Sequence, residues 1–177
     1  NLFVGTEVLV IGSGTIGIIL GILLKNNKNI KTTLGFKNQT QSNVLKKLNI
    51  NSLNTVNRIQ KYNSKYDLIF ETSGVSKIIS SSMQLLNNQG KIIFASHPKF
   101  NSKIELDPFD LILGKKISGS WGGGIKFPRD VKNLVKIIKN FKNLEKLFFE
   151  KTYSLNKIEI AIKDLQEGRV IRPLIKL

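Results

Sequence analysis

Residues 7–24 constrain this chain more than any other stretch. They read Glu7-Val8-Leu9-Val10-Ile11, then Gly12-Ser13-Gly14-Thr15-Ile16-Gly17, then Ile18-Ile19-Leu20-Gly21-Ile22-Leu23-Leu24. A short, β-rich apolar run is the mark of a strand buried on both faces. The apolar run after the glycines suits a helix packed on a sheet and covered again. Between them stands G-x-G-x-x-G, and each glycine has a job there. Gly12 permits a tight turn, Gly14 lets a pyrophosphate approach the backbone, and Gly17 lets the helix pack close to the sheet. The free N–H groups and positive dipole end of the helix then face the phosphates.

The rest of the chain continues the alternation. Ile30–Leu34, Tyr66–Thr72, Lys91–Ala95 and Lys116–Ser120 read as strands, and Leu53–Gln60 is ambiguous. Gln41–Leu48, Ser76–Leu86 and Pro108–Leu113 read as helices, with a turn at Asn87–Gly90. Strands and helices at this spacing predict a doubly wound parallel α/β sheet of the Rossmann type, with right-handed crossovers. After Gly122-Gly123-Gly124 the texture changes. Pro128–Phe141 is an amphipathic helix, Leu147–Lys151 a candidate strand, and Pro173–Leu177 a final strand. Ser154 is placed to cap a helix over Leu155–Glu167, with Gly168 just past its end.

Composition narrows the function classes. The chain has no Cys and one His, which excludes a disulfide scaffold, a thiol nucleophile and a Cys-based zinc site. Its 28 Lys and Arg against 12 Asp and Glu leave a formal net charge of +16. A polyanion partner is one reading. However, the excess is scattered Lys without the aromatic interleaving of single-strand binders, so no nucleic-acid partner is expected. The apolar run at Val8–Leu24 is broken by glycines and lacks a basic flank, so no membrane role is expected either.

A ribose-binding acid is expected about 20 residues beyond the glycine loop, at the end of the second strand. The chain there reads Leu34-Gly35-Phe36-Lys37. An acid would bond a free 2′-hydroxyl and repel a 2′-phosphate. Gly35 leaves room for the phosphate and Lys37 neutralises it, so NADP is preferred as cofactor, with NAD as the alternative.

In its order of segments the chain resembles the coenzyme-binding half of the medium-chain dehydrogenases/reductases, the zinc-type alcohol dehydrogenase superfamily. The residues that carry the resemblance are Val8–Gly17, Tyr66–Gly74, Gly90–Pro98, Asp107–Leu111, Lys116–Gly123 and Gly168–Ile175. The resemblance implies two parts. Residues 1–121 are a dinucleotide-binding domain, and 122–177 are a segment that in the family returns to an N-terminal catalytic domain. That catalytic domain carries the zinc and the proton relay, and it is missing from this chain. No zinc and no catalytic residue are therefore expected here.

The resemblance also implies binding positions beyond the glycine loop and Gly35-Phe36-Lys37. Ser73 and Gly74 match the loop beside the cofactor ribose. Ser96 and His97 match the lining of the nicotinamide pocket, although the family more often has Gly at the first and a small or apolar residue at the second. Ser120, Trp121 and Gly122 match backbone that holds the carboxamide, and Arg172 matches an arginine that reaches the pyrophosphate. The implied function is hydride transfer between a nicotinamide cofactor and an alcohol or carbonyl substrate, in a cytoplasmic homodimer joined through the edge strand. The alternative is a non-catalytic dinucleotide-binding module within a larger multifunctional protein. A methyltransferase also uses a glycine-rich first loop, but it would want the missing acid.

Overall fold

The computed structural model describes residues 3–55, 65–139, 141 and 144–177. It divides into two compact units, Asn1–Ser120 and Trp121–Leu177. The first contains β1 (Thr6–Ile11), α1 (Thr15–Lys25), β2 (Ile30–Phe36), α2 (Gln39–Lys47) and β3 (Asn51–Asn54). It continues with β4 (Tyr66–Glu71), α3 (Ser76–Ser82), β5 (Leu86–Phe94), α4 (Pro108–Ile112) and β6 (Lys116–Gly119). The six strands form one sheet in the order β3-β2-β1-β4-β5-β6, and every pair is parallel. The chain steps outward from β1 to β2 and β3, then crosses over to β4, β5 and β6. The strand order reverses beside β1, and ligands of such sheets bind at that switch point, outside the carboxyl ends of the strands.

The apolar runs form the strands because both sheet faces are covered. Val8, Leu9 and Val10 are fully buried, each contributing about 2 kcal/mol by leaving water. One face packs Leu9, Ile11, Ile69 and Ile92 with Tyr66, Met83, Leu85 and Leu86. On the other, α1 lies close over β2. Gly21 leaves space for the Leu34 side chain, which a Cβ at position 21 would meet at 2.5 Å.

Three expectations in this unit need correction. The helix expected over Ser76–Leu86 ends at Ser82 and tightens into a 3-10 turn over Met83–Leu85. The hydroxyls of Ser81 and Ser82 both donate to the Ile78 carbonyl, and such back-bonding competes with the helical ladder. The turn expected at Asn87–Gly90 is a bulge inside β5. The register shifts between the pairs Tyr66–Leu86 and Leu68–Lys91, and Gln89 takes a φ of +67°. The ambiguous segment begins as the end of β3, while 56–64 lie outside the described residues.

The second unit holds α5 (Arg129–Lys139), α6 (Leu144–Phe148), β7 (Thr152–Ser154), α7 (Ile158–Gln166) and β8 (Leu174–Lys176). β7 and β8 pair in parallel. The strand expected over Leu147–Lys151 is instead the end of α6, and the strand starts at Thr152. Leu144, Leu147 and Phe148 recur at helical spacing, and a short apolar run fits either period. Ser154 precedes a 3-10 turn over Leu155–Lys157 rather than α7 itself, and its hydroxyl bonds Asn156 Oδ1 at 2.5 Å, not a backbone N–H. Gly168 closes α7 as expected, at φ +70°, with its N–H on the Leu165 carbonyl.

A buried carboxylate organises this unit. Asp164 on α7 accepts from Lys151 Nζ at 2.6 Å, from the buried Tyr153 hydroxyl at 2.6 Å and from Arg169 at 2.8 Å. The hydrogen bonds from Lys151, Tyr153 and Arg169, in that order of effect, hold its carboxyl well below the usual carboxylate range. Among the described residues no helix is long and apolar enough to cross a membrane.

Candidate functional site

The loop between β1 and α1 is held by contacts that only glycine permits. Gly12 has a φ of +106°, and a Cβ there would lie 2.7 Å from Thr72 Oγ1 and 2.9 Å from the Ser73 amide nitrogen. A Cβ at Gly17 would overlap the Gly12 carbonyl oxygen. A Cβ at Gly14 would meet nothing within 4 Å, so this position faces open space. Thr72 locks the turn from the side, its hydroxyl donating to the Ile11 carbonyl at 2.9 Å or the Gly12 carbonyl at 3.0 Å. Ser13 is buried, and its hydroxyl bonds the Gly35 carbonyl at 2.7 Å. The loop is thereby tied to β4 on one side and β2 on the other.

Gly14 caps α1 with no side-chain hydrogen bond, and no acid stands in the first turn. The first N–H groups of a helix have no partner within it. Thr15 and Ile16 belong to that first turn, and the Ile16 side chain is exposed. Gly17 lies buried beneath the loop and serves the packing.

A cleft of about 230 Å³ brings together Gly12, Ser13, Gly14, Gly35, Lys37 and Ser73. Gln41 and Thr55, which the sequence reading did not single out, also line it. Gln41 Oε1 accepts the Lys37 N–H at 2.9 Å, and Asn38 caps α2 through the Gln41 N–H at 2.9 Å. The Phe36 carbonyl accepts from the Thr55 N–H at 2.9 Å and the Thr55 hydroxyl at 3.0 Å. The expectation that Gly35 leaves free room is refined here. A Cβ at Gly35 would overlap the Thr55 methyl, so part of the space an acid would need is already filled. A lone Thr after a short strand carries no sequence signal that could have revealed this.

The loop after β4, which lends Ser73 to that cleft, meets the loop after β5. Ser73 and Gly74 follow Glu71, which is fully buried. Glu71 Oε1 accepts the Ser73 N–H at 2.6 Å and the Gly74 N–H at 3.1 Å, together with the Ser73 hydroxyl. Glu71 Oε2 accepts the Ser96 hydroxyl at 2.5 Å. Gly74 has a φ of +72°, and a Cβ there would sit 3.1 Å from the His97 carbonyl oxygen. The His97 side chain is exposed. Glu71 was legible only as a charged residue closing an apolar strand, and its burial was not. The Ser120 N–H extends the β5–β6 ladder to the Phe94 carbonyl at 2.9 Å. Trp121, Gly122 and Arg172 belong to the second unit, where the Trp121 and Arg172 side chains are exposed.

Strand order, parallel pairing and the glycine loop define a Rossmann-like α/β domain. A scan against protein-family models finds no match. The chain is 32% identical over 110 residues to Alcohol dehydrogenase-like 1 of Arabidopsis thaliana, a match covering 60% of this chain and 28% of that relative. Benzyl alcohol dehydrogenase from Acinetobacter calcoaceticus superposes with a TM-score of 0.85 at 20% identity, covering 100% of this chain and 51% of that one. Haloferax mediterranei glucose dehydrogenase, solved in complex with NADP, Zn and gluconolactone, superposes with a TM-score of 0.74 at 18% identity, covering 98% and 51%. In sequence and in fold the chain thus resembles the coenzyme-binding half of the zinc-type alcohol dehydrogenases, the medium-chain dehydrogenase/reductase superfamily. It spans about half the length of these solved structures.

Proposed function

We propose that this chain is the NADP(H)-binding domain of an alcohol dehydrogenase-like oxidoreductase, and that it works in the cytoplasm. The observation that carries this is the glycine loop. Gly12 and Gly17 have no room for a side chain, Gly14 is open, and the start of α1 is uncapped by any side chain or acid. That cradle suits a pyrophosphate, with its charge on the helix N-terminus. Lys37, exposed at the rim of the cleft, would meet a 2′-phosphate, with Gln41 holding its backbone. Ser73 and Gly74 would lie beside the cofactor ribose, and Ser96 and His97 would line the nicotinamide side, with Ser120 as a further contact. Nicotinamide, when bound, supplies or takes up the hydride. The chain's own part is to bind it, orient its ring and exclude water.

Zinc does not fit these residues. The sequence has no Cys and one His, and among the described residues no three His, Asp or Glu side chains cluster to hold a metal. The zinc and the proton relay would belong to a catalytic domain outside this chain. Calorimetric titration tests the reading: NADPH should bind about tenfold tighter than NADH, and binding of neither would overturn it.

The same reading includes a homodimer through the β6 edge. An edge strand leaves N–H and C=O groups that an isologous partner can satisfy. Beside it Phe109, Leu111 and Ile112 on α4 are exposed, whereas Leu106 packs on the core. Lys115 beside the seam is buried, with its ammonium on Asp110 at 2.7 Å and the Met83 carbonyl at 2.8 Å. Lys116 remains exposed at the edge. Light scattering should show a dimer at physiological salt that loosens as salt is removed, and a monomer at every salt concentration would refute it.

A further inference from the structure

The geometry points to Glu71 and Ser96 as a positioning pair that sets the loop after β5 for the nicotinamide-bearing half of the dinucleotide by tying it to the loop after β4. This rests on the dinucleotide reading above. A carboxyl group buried at the end of an apolar strand is costly unless hydrogen bonds replace the lost water. At Glu71 neutral donors from two loops replace it. Two backbone N–H groups and the Ser73 hydroxyl belong to the first loop, and the Ser96 hydroxyl to the second.

The two loops also meet sterically. Gly74 comes so close to the His97 carbonyl that a Cβ would be tightly crowded, at 3.1 Å. One polar tie and one close approach therefore fix two otherwise separate backbone segments against each other.

Their place in the sheet says what they are fixed for. Both loops leave the carboxyl ends of strands on the far side of β1 from Gly35 and Lys37. A dinucleotide across the switch point puts one nucleoside on each side. With the 2′-phosphate side at Lys37, whose cleft Thr72 and Ser73 also line, the other half meets the loop at 95–97. A loop already held in its bound shape loses less conformational freedom on binding.

The variants separate the two ties through their chemistry. Ser96→Ala cuts only the tie to the second loop. Glu71→Ala removes both ties. In Glu71→Gln the amide oxygen still accepts the backbone N–H groups, and the amide nitrogen donates to Ser96, whose hydroxyl can accept.

The test is calorimetric titration of the full chain with NADPH and with 2′,5′-ADP, which lacks the nicotinamide half, after circular dichroism has confirmed folding. Ser96→Ala should weaken NADPH about tenfold while 2′,5′-ADP stays within about twofold, whereas Glu71→Ala, which also frees the Ser73 loop at the Lys37 cleft, should weaken both. Glu71→Gln should leave both ligands within about threefold of the parent. Ser96→Ala carries the test if Glu71→Ala does not fold. Parallel loss of both ligands or no change in either in Ser96→Ala, or a parent chain that binds NADPH no tighter than 2′,5′-ADP, would each overturn the inference alone. A parent chain that binds neither ligand overturns the dinucleotide reading and this inference with it.

Discussion

Each unit of the molecule is organised around one buried acid, and the two acids are solvated in opposite ways. Glu71, in the first unit, is met by backbone N–H groups and serine hydroxyls. Asp164, in the second, is met by an ammonium, a guanidinium and a phenol. Neutral donors drawn from loops fix backbone geometry and leave the cleft side free of competing cations. Charged donors from Lys151, just before β7, and Arg169, just past α7, fasten one element to another. The first arrangement suits a site and the second a structural clasp.

The comparison can be broken most severely at the glycine loop, which Thr72 supports. Gly17→Ala should destabilise the first unit by about 3 kcal/mol, because the new methyl overlaps backbone that cannot move aside. Dinucleotide binding should vanish with it. Urea denaturation and calorimetric titration read the two effects, and a parent-like result for both would mean the glycine loop is not under this constraint.

Next in size is the clasp. The Asp164 carboxyl titrates below its ordinary value when folded, so it binds a proton less readily in the folded than in the unfolded chain. Its contribution is therefore complete above about pH 4, the unfolded value, and is lost as pH falls below that. Asp164→Asn should lower the melting temperature by several degrees at pH 7 and flatten the acid limb of the stability curve. Melting curves from pH 7 down to pH 2 test this. An acid limb of unchanged steepness in the variant would show that Asp164 is not the group responsible.

The smallest effect, and the one that sharpens the contrast within the first unit, is at Lys37. Lys37→Glu should weaken NADPH about tenfold while barely changing NADH, since only the former carries charge at the 2′ position. Its side chain is exposed, so stability should be unaffected. Equal loss for both cofactors, measured by titration, would remove Lys37 from 2′-phosphate recognition.

The sheet, its parallel sense and the glycine loop could all be read from the chain, because each rests on local rules. The centres of β1 and β4, Val8–Ile11 and Leu68–Phe70, are apolar since both sheet faces are covered, and Gly12 and Gly17 stand where a side chain has no space. The second unit was less legible. Its elements are short, and the run from Leu144 to Tyr153 fits helix or strand until packing chooses Phe148 and Tyr153 for burial.

What the sequence determined by itself was therefore the frame: an α/β sheet, the position of its phosphate-type loop, and the absence of an acid at Gly35. The tertiary structure alone decided three further things. It filled the space at Gly35 with Thr55, from a neighbouring strand end. It buried Lys115 on Asp110 and the Met83 carbonyl. It also gathered four donors, from residues 73, 74 and 96, around Glu71. The physical reason is range. Periodicity and glycine sterics act within a few residues, whereas a buried polar group is satisfied by whatever donors the fold brings to it, and Ser96 lies 25 residues from Glu71 along the chain.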